Sequence, residues 1–124
     1  VAKTILLIDD SQTLVTSLQS YLETSGFIVE TANDGLQALN KIKAGTSPDL
    51  IISDINLPNM DGLQLIRNIK GLPAFRFKPI IVLSTESQAA KLDEAKKLGA
   101  TGWMIKPVDG KSLVDVIKKL LPGA

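Results

Sequence analysis

Four short apolar runs in this chain each end on a reactive polar residue. Ile5-Leu6-Leu7-Ile8 ends at Asp9-Asp10, and Leu50-Ile51-Ile52-Ser53 ends at Asp54. Ile80-Ile81-Val82-Leu83 ends at Ser84-Thr85, and Trp103-Met104-Ile105 ends at Lys106-Pro107. Runs of this length without polar alternation predict strands covered on both faces. Between them the apolar spacing changes to the helical period. Ser11 is placed to cap a first helix with apolar positions Leu14, Leu18, Tyr21 and Leu22, and Gly26 stands where a left-handed cap would end it. Phe27–Ala32 alternates apolar and polar, as a half-exposed edge strand does. A second helix is predicted over Asp34–Ala44, burying Leu36, Leu39 and Ile42. A third starts near Asp61-Gly62 and buries Leu65, Ile66 and Ile69. The stretch from Gly71 to Pro79, with two prolines and two phenylalanines, reads as a packed surface loop. A fourth helix, Ser87–Leu98, stops at Gly99. A fifth, capped by Asp109, buries Leu113, Val116, Ile117 and Leu120 and ends before Pro122-Gly123.

The strands are thus expected at Thr4–Ile8, Phe27–Ala32, Asp49–Ser53, Ile80–Leu83 and Gly102–Ile105, alternating with five helices. Such alternation implies an α/β domain with a parallel sheet covered on both faces and right-handed crossovers. In a doubly wound sheet of order 2-1-3-4-5, ligands bind at the carboxyl ends of the strands, where the order reverses between strands one and three. Asp9, Asp10 and Asp54 stand at those two ends.

At 124 residues, with 44% hydrophobic content and a mean hydropathy of +0.18, the expectation is one globular domain spanning 1–124. No apolar run approaches a membrane span, and Val1-Ala2-Lys3-Thr4 leads into the first strand without a visible signal peptide. The chain has no cysteine, which fits a cytoplasmic setting and excludes disulfides and thiolate metal sites. It also has no histidine, so histidine-based triads, histidine-based zinc sites and a phosphohistidine carrier role are excluded. Net charge is +1, divided as −5 over residues 1–62 and +6 over residues 63–124. The basic residues are spread over several elements and no nucleic-acid motif accompanies them, so neither a nucleic-acid nor a membrane partner is expected.

Three carboxylates converging at one sheet edge repel one another unless a cation neutralises them. An oxygen-only site open to solvent suits magnesium, which keeps waters and takes one or two carboxylates plus phosphate. With that cation a carboxylate can attack phosphorus and form an acyl phosphate. The remaining catalysis is positioning and charge neutralisation, for which Lys106 supplies a point charge and Ser84 a hydrogen bond. Each residue alone has an ordinary explanation: Asp10 as a helix cap, Ser84-Thr85 as another, Lys106-Pro107 as a turn. All of them at four strand ends of one short domain point to phosphoryl chemistry.

The pieces Leu7-Ile8-Asp9-Asp10-Ser11, Asp54-Ile55-Asn56-Leu57-Pro58-Asn59-Met60-Asp61-Gly62, Ser84-Thr85-Glu86, Gly99-Ala100-Thr101-Gly102-Trp103 and Lys106-Pro107 together resemble the bacterial response-regulator receiver domain of the stand-alone chemotaxis CheY type. The similarity runs the length of the chain and implies a flavodoxin-like (βα)5 fold. It implies that Asp54 is the phosphorylated aspartate. Asp10 would be a direct magnesium ligand, Asp9 a ligand through water, and the Asn56 backbone carbonyl a third. It makes Ser84 the switch hydroxyl, Lys106 the phosphate-sensing lysine with a cis bond to Pro107, and Trp103 the switch aromatic. Asn56, Thr85 and Glu86 would tune dephosphorylation. A population shift in the surface of the fourth helix, fifth strand and fifth helix would follow phosphorylation.

Three departures stand out. Thr85 replaces a smaller residue and would crowd the site, so phosphate loss should be slower than in a Thr85→Ala variant. Val108 stands where phenylalanine is common. The loop Gly71–Pro79 is longer than the family minimum. The implied partners are a sensor histidine kinase, a target such as a flagellar motor switch, and a phosphatase, with the chain a monomer or a weak dimer through that same surface. A phosphorelay intermediate and a phosphorylation-independent interaction module are alternatives. A small aspartyl-phosphate phosphatase is disfavoured, because the position two after Asp54 is Asn56 rather than a second aspartate.

Overall fold

The structure, a computed structural model, describes residues 2–124; Val1, the first residue of the expected leader-free start, lies outside them. Five strands, β1 (Thr4–Ile8), β2 (Ile28–Ala32), β3 (Leu50–Asp54), β4 (Ile80–Ser84) and β5 (Gly102–Ile105), alternate with five helices. These are α1 (Gln12–Thr24), α2 (Gly35–Lys43), α3 (Gly62–Lys70), α4 (Ala89–Leu98) and α5 (Gly110–Leu120). The sheet is parallel throughout, in the order β2-β1-β3-β4-β5.

Side chains alternate across a strand, and β1 shows what that does here. Leu6 and Ile8 face one core, with Ala38, Leu39 and Ile42 of α2, Leu65, Ile66 and Ile69 of α3, and Leu92 and Ala95 of α4. Ile5 and Leu7 face the other, with Val15, Leu18 and Leu22 of α1 and Leu113, Val114 and Ile117 of α5. The central strands are fully covered on both faces, which is why they carry continuous apolar runs. Right-handed crossovers divide the connecting helices: chain order reverses direction across the sheet after β2, so α1 lies on one face and α2 to α4 on the other. α5, which follows the last strand, packs beside α1.

Helix ends follow local chemistry. The side chains of Ser11, Asp34, Asp61 and Asp109 each accept a backbone N–H from the first turn of their helix. Gly26 takes the left-handed conformation at φ 99°, and the paired bonds Gly26 N–H to Glu23 O and Phe27 N–H to Leu22 O close α1.

Several expectations shift. Leu36 is 48% exposed rather than buried, because α2 turns Ala38, Leu39 and Ile42 to the sheet. Tyr21 is 43% exposed and lies against Gly110, at the edge of the α1 stripe. In α5, Val116 and Leu120 are half-buried while Val114 is buried. The fourth helix begins later than Ser87, because Glu86–Gln88 form a separate 3-10 turn. In the Gly71–Pro79 loop another 3-10 turn, Pro73–Phe75, buries Phe75, while Phe77 is 87% exposed.

Candidate functional site: a carboxylate cluster at the strand ends

β1 and β3 are adjacent, with Ile8 beside Ser53 in register, so the residues that follow them meet at one edge. Asp9 remains tied to the sheet through its N–H, which donates to Ala32 O. Asp54 is the last residue of β3, and Ser84 the last of β4, rather than residues just beyond the strands. Carboxylate oxygens of Asp9, Asp10 and Asp54 all lie within 4.8 Å of one another. Asp9 and Asp54 are buried, whereas Asp10 faces solvent.

Among the described residues, one cation enters this cluster. Lys106, just past β5, places Nζ 3.0 Å from Asp54 Oδ2, to which it donates a hydrogen bond, and 3.1 Å from Asp9 Oδ2. The contact with Asp9 is an ion pair, and Asp9 Oδ2 is a buried oxygen with no further partner. The Lys106–Pro107 bond is cis, as the resemblance implied. Asp9 Oδ1 accepts from Ser11 N–H at 2.9 Å, and Asp54 Oδ1 from Asn56 N–H at 3.2 Å. Burial pushes the Asp9 carboxyl above its ordinary value; the Ser11 N–H opposes this and the charge of Asp54 adds to it. Burial pulls the Lys106 ammonium down, but its contacts with Asp54 and Asp9 outweigh that and hold it above its ordinary value.

Ser84 is completely buried and its Oγ has no hydrogen-bond partner. A buried hydroxyl left unpaired costs free energy, so Ser84 Oγ has an open hydrogen-bonding capacity that a water or a ligand oxygen at the site can fill. The next residue, Thr85, is exposed; its Oγ1 lies 2.9 Å from Ser87 Oγ, and its N–H donates to Gln88 Oε1 at 2.7 Å. Those bonds tie Thr85 into the turn before α4. Glu86 is exposed on that turn. Trp103 is 45% exposed on β5, its ring covered by the Lys96 ammonium 3.9 Å from the centroid.

The loop from β3 to α3 is held from outside. Asn59, at φ 68°, donates from its amide to Asp34 Oδ2 at 2.8 Å, linking the loop to the cap of α2. Gly62 donates to Ile55 O at 3.0 Å and lies directly on the end of β3. One contact had no signal in the sequence: Lys91 of α4 donates to Asn56 Oδ1 at 2.9 Å, across 35 residues.

The cluster offers oxygen donors only, one of them with a free lone pair on a buried atom, and one edge open to solvent. That donor set fits a hard divalent cation holding some of its waters.

Residues 5–118 match the family model described as the response regulator receiver domain. The chain belongs to this family. Its receiver domain is 30% identical over 117 residues to chemotaxis protein CheY-3 of Vibrio cholerae, covering 94% of this chain and 89% of that protein. Among solved structures it superposes on chemotaxis response regulator CheY4 of Vibrio cholerae with a TM-score of 0.91 and 35% identity, covering 98% and 100% of the two chains. The signal receiver domain of a signal transduction histidine kinase from Syntrophus aciditrophicus gives a TM-score of 0.89 and 36% identity, covering 99% and 92%. The receiver domain is a signalling module of two-component systems and not a conventional enzyme. Among the described residues, no helix is long and apolar enough to cross a membrane.

Proposed function

We propose that this receiver domain is a phosphorylation-operated switch that accepts a phosphoryl group on Asp54. The observation that carries the reading is the join of Asp54 to Lys106, beside the unpaired buried hydroxyl of Ser84. Asp9, Asp10, Asp54 and the Asn56 backbone carbonyl would hold magnesium, which supplies charge neutralisation for an incoming phosphoryl group. An Asp54 oxygen attacks phosphorus, the bond from phosphorus to the donor breaks, and its electron pair leaves with the donor. Lys106 then exchanges its carboxylate partners for a phosphoryl oxygen. Ser84 gains the partner it lacks, drawing the turn at Thr85–Gln88 toward the site. The space this frees on the β5 side admits Trp103, and the α4–β5–α5 surface changes.

The donor would be a sensor histidine kinase, and the target a protein that reads that surface. The CheY-3 and CheY4 similarities favour chemotaxis, with a flagellar motor switch as target and a separate phosphatase as the off-signal. The receiver joined to a histidine kinase, similar at 36% identity, supports a phosphorelay intermediate as the second reading. The domain as a whole, 1–124, acts in the cytoplasm, as a monomer or as a weak dimer through the α4–β5–α5 face.

The deciding experiment is intact mass after incubation with acetyl phosphate, with magnesium or with EDTA, on wild type and Asp54→Asn, while Trp103 fluorescence is followed. One added phosphate that requires both magnesium and Asp54 is the expected result. No adduct, under conditions that label a control receiver, refutes the switch and leaves a phosphorylation-independent binding module. Thr85→Ala is expected to shorten the life of the adduct, and an unchanged or longer life would remove Thr85 from the tuning set.

A further inference from the structure

Lys91 sits in the first turn of α4, immediately before the buried Leu92. A helix amino end carries partial positive charge and favours an anionic side chain there, so a lysine is in the electrostatically wrong place for helix stability. No acidic residue accompanies it in that turn. Its ammonium instead leaves α4 and donates to the side-chain oxygen of Asn56 at 2.9 Å. Asn56 in turn donates its backbone N–H to Asp54 Oδ1 at 3.2 Å. Two hydrogen bonds therefore run from α4 to the carboxylate of the site without passing through Ser84 or Trp103. The first of them engages Asn56 Oδ1, the acceptor oxygen of a side chain two residues beyond Asp54.

We propose that Lys91 is a positioning residue that lengthens the life of the phosphorylated state by holding the Asn56 side-chain oxygen away from the attacking water. The proposal rests on the reading of Asp54 as the phosphoryl acceptor. In the turnover step, a water oxygen bonds to phosphorus and the bond from phosphorus to Asp54 breaks. The electron pair returns to the Asp54 carboxylate; one water proton stays on the oxygen now bonded to phosphorus and the other passes to a phosphoryl oxygen, so inorganic phosphate leaves as dihydrogen phosphate. A free amide oxygen beside Asp54 can accept a hydrogen bond from that water and align it. With Lys91 donating to it, Asn56 Oδ1 has less capacity to do so. Lys91 needs no contact with phosphorus for this role. Because the contact is solvent-exposed, the expected change is modest, about three- to tenfold in rate.

The test is the rate of phosphate loss from protein labelled with acetyl phosphate and freed of donor, for wild type, Lys91→Met, Lys91→Arg, Asn56→Ala and the double variant Lys91→Met with Asn56→Ala. The proposal expects loss about three- to tenfold faster in Lys91→Met, near wild type in Lys91→Arg, and no effect of Lys91→Met once Asn56 is alanine. In metal-free unphosphorylated protein, the Asn56 side-chain amide NMR signals should also move in Lys91→Met and hold in Lys91→Arg. An unchanged or slower rate in Lys91→Met, or the same acceleration in the Asn56→Ala background, overturns the role of Lys91 while leaving Asp54 as acceptor. Failure of the wild type to form any adduct overturns both.

Discussion

At position 62 the amino end of α3 presses on the end of β3, and a side chain has nowhere to go. A Cβ there would lie 2.6 Å from Asp54 O and 2.7 Å from the Cα of Ile55, both backbone atoms. Backbone cannot swing aside as a flexible side chain can, so Gly62→Ala must displace the loop that carries Asn56. The expected loss is about 1–3 kcal/mol, as for other overpacked sites, read from urea unfolding. Gly71 is the contrast. It has ordinary helical torsions, and its nearest neighbours to an added Cβ are 3.5 Å away. Gly71→Ala should be neutral or gain up to about 1 kcal/mol by restricting the unfolded chain. Equal effects of the two substitutions would show that close approach at position 62 is not what the glycine is for. At this scale the gathering of the candidate residues was legible in the sequence, because Asp9, Asp10, Asp54, Ser84 and Lys106 stand where apolar runs stop. Lys91 was not: an exposed lysine in a charged helix gives no periodic signal, and its partner lies in another element.

Among the elements, α4 and β5 share the contact that sets the resting position of Trp103. The Lys96 ammonium over the indole is a cation–π pair, which at a part-exposed site contributes about 0.5–1 kcal/mol. Inward movement of Trp103 must give that contact up. Lys96→Met is therefore expected to shift the balance of Trp103 conformers about two- to fivefold toward the inward one, seen as a change in tryptophan emission without phosphorylation. Lys97→Met, one residue on and exposed, should leave emission unchanged; equal changes would refute the latch. The caps give a second, independent handle on the elements. The Gln37 N–H, then the Asn59 amide, hold the Asp34 carboxyl below its ordinary value, and the Ser112 N–H, then its hydroxyl, do the same for Asp109. A depressed carboxyl contributes stability above its unfolded value, here 3.8, and that contribution is lost as pH falls through the lower folded value. The difference in melting temperature between wild type and Asp109→Ala should thus be constant above about pH 5 and shrink below 3.8. A difference that persists at low pH would mean the cap acts through packing. Element type was readable from period and caps, but the width of a buried helix stripe was not. Leu36 and Tyr21 follow helical spacing and still face water in part, because both sit at the edge of their helix's buried stripe, Tyr21 with its ring against Gly110 of α5. The fourth helix starts later than Ser87 for a different reason: Thr85 and Gln88 close a separate 3-10 turn ahead of it.

Over the whole molecule, the two cores close both faces of the sheet, and acidic charge collects at one edge. Packing at that edge is complete in Asp9, Asp54 and Ser84, yet the chemistry there is left unbalanced: three carboxylates meet one ammonium. Like charges this close raise the free energy of the folded state, because unfolding separates them. The fold is therefore stabilised by anything that offsets the excess negative charge, either a bound cation or removal of one carboxylate. Asp10 separates these effects, since it is exposed and its replacement leaves no cavity. In EDTA, Asp10→Asn should melt above wild type. Magnesium at about a hundred times its dissociation constant should raise wild-type stability by about 2.7 kcal/mol, several degrees in melting temperature, and raise Asp10→Asn much less. The two curves should approach or cross as magnesium is added. Calcium or manganese in place of magnesium tests how far the effect is general to hard divalent cations, and sodium at matched ionic strength separates site binding from screening. If Asp10→Asn melts below wild type in EDTA, the carboxylate is a structural partner and the cluster is not strained. If magnesium stabilises both proteins equally, Asp10 is not among the ligands, and the ion is held by Asp54 and Asp9 alone or binds elsewhere on the surface.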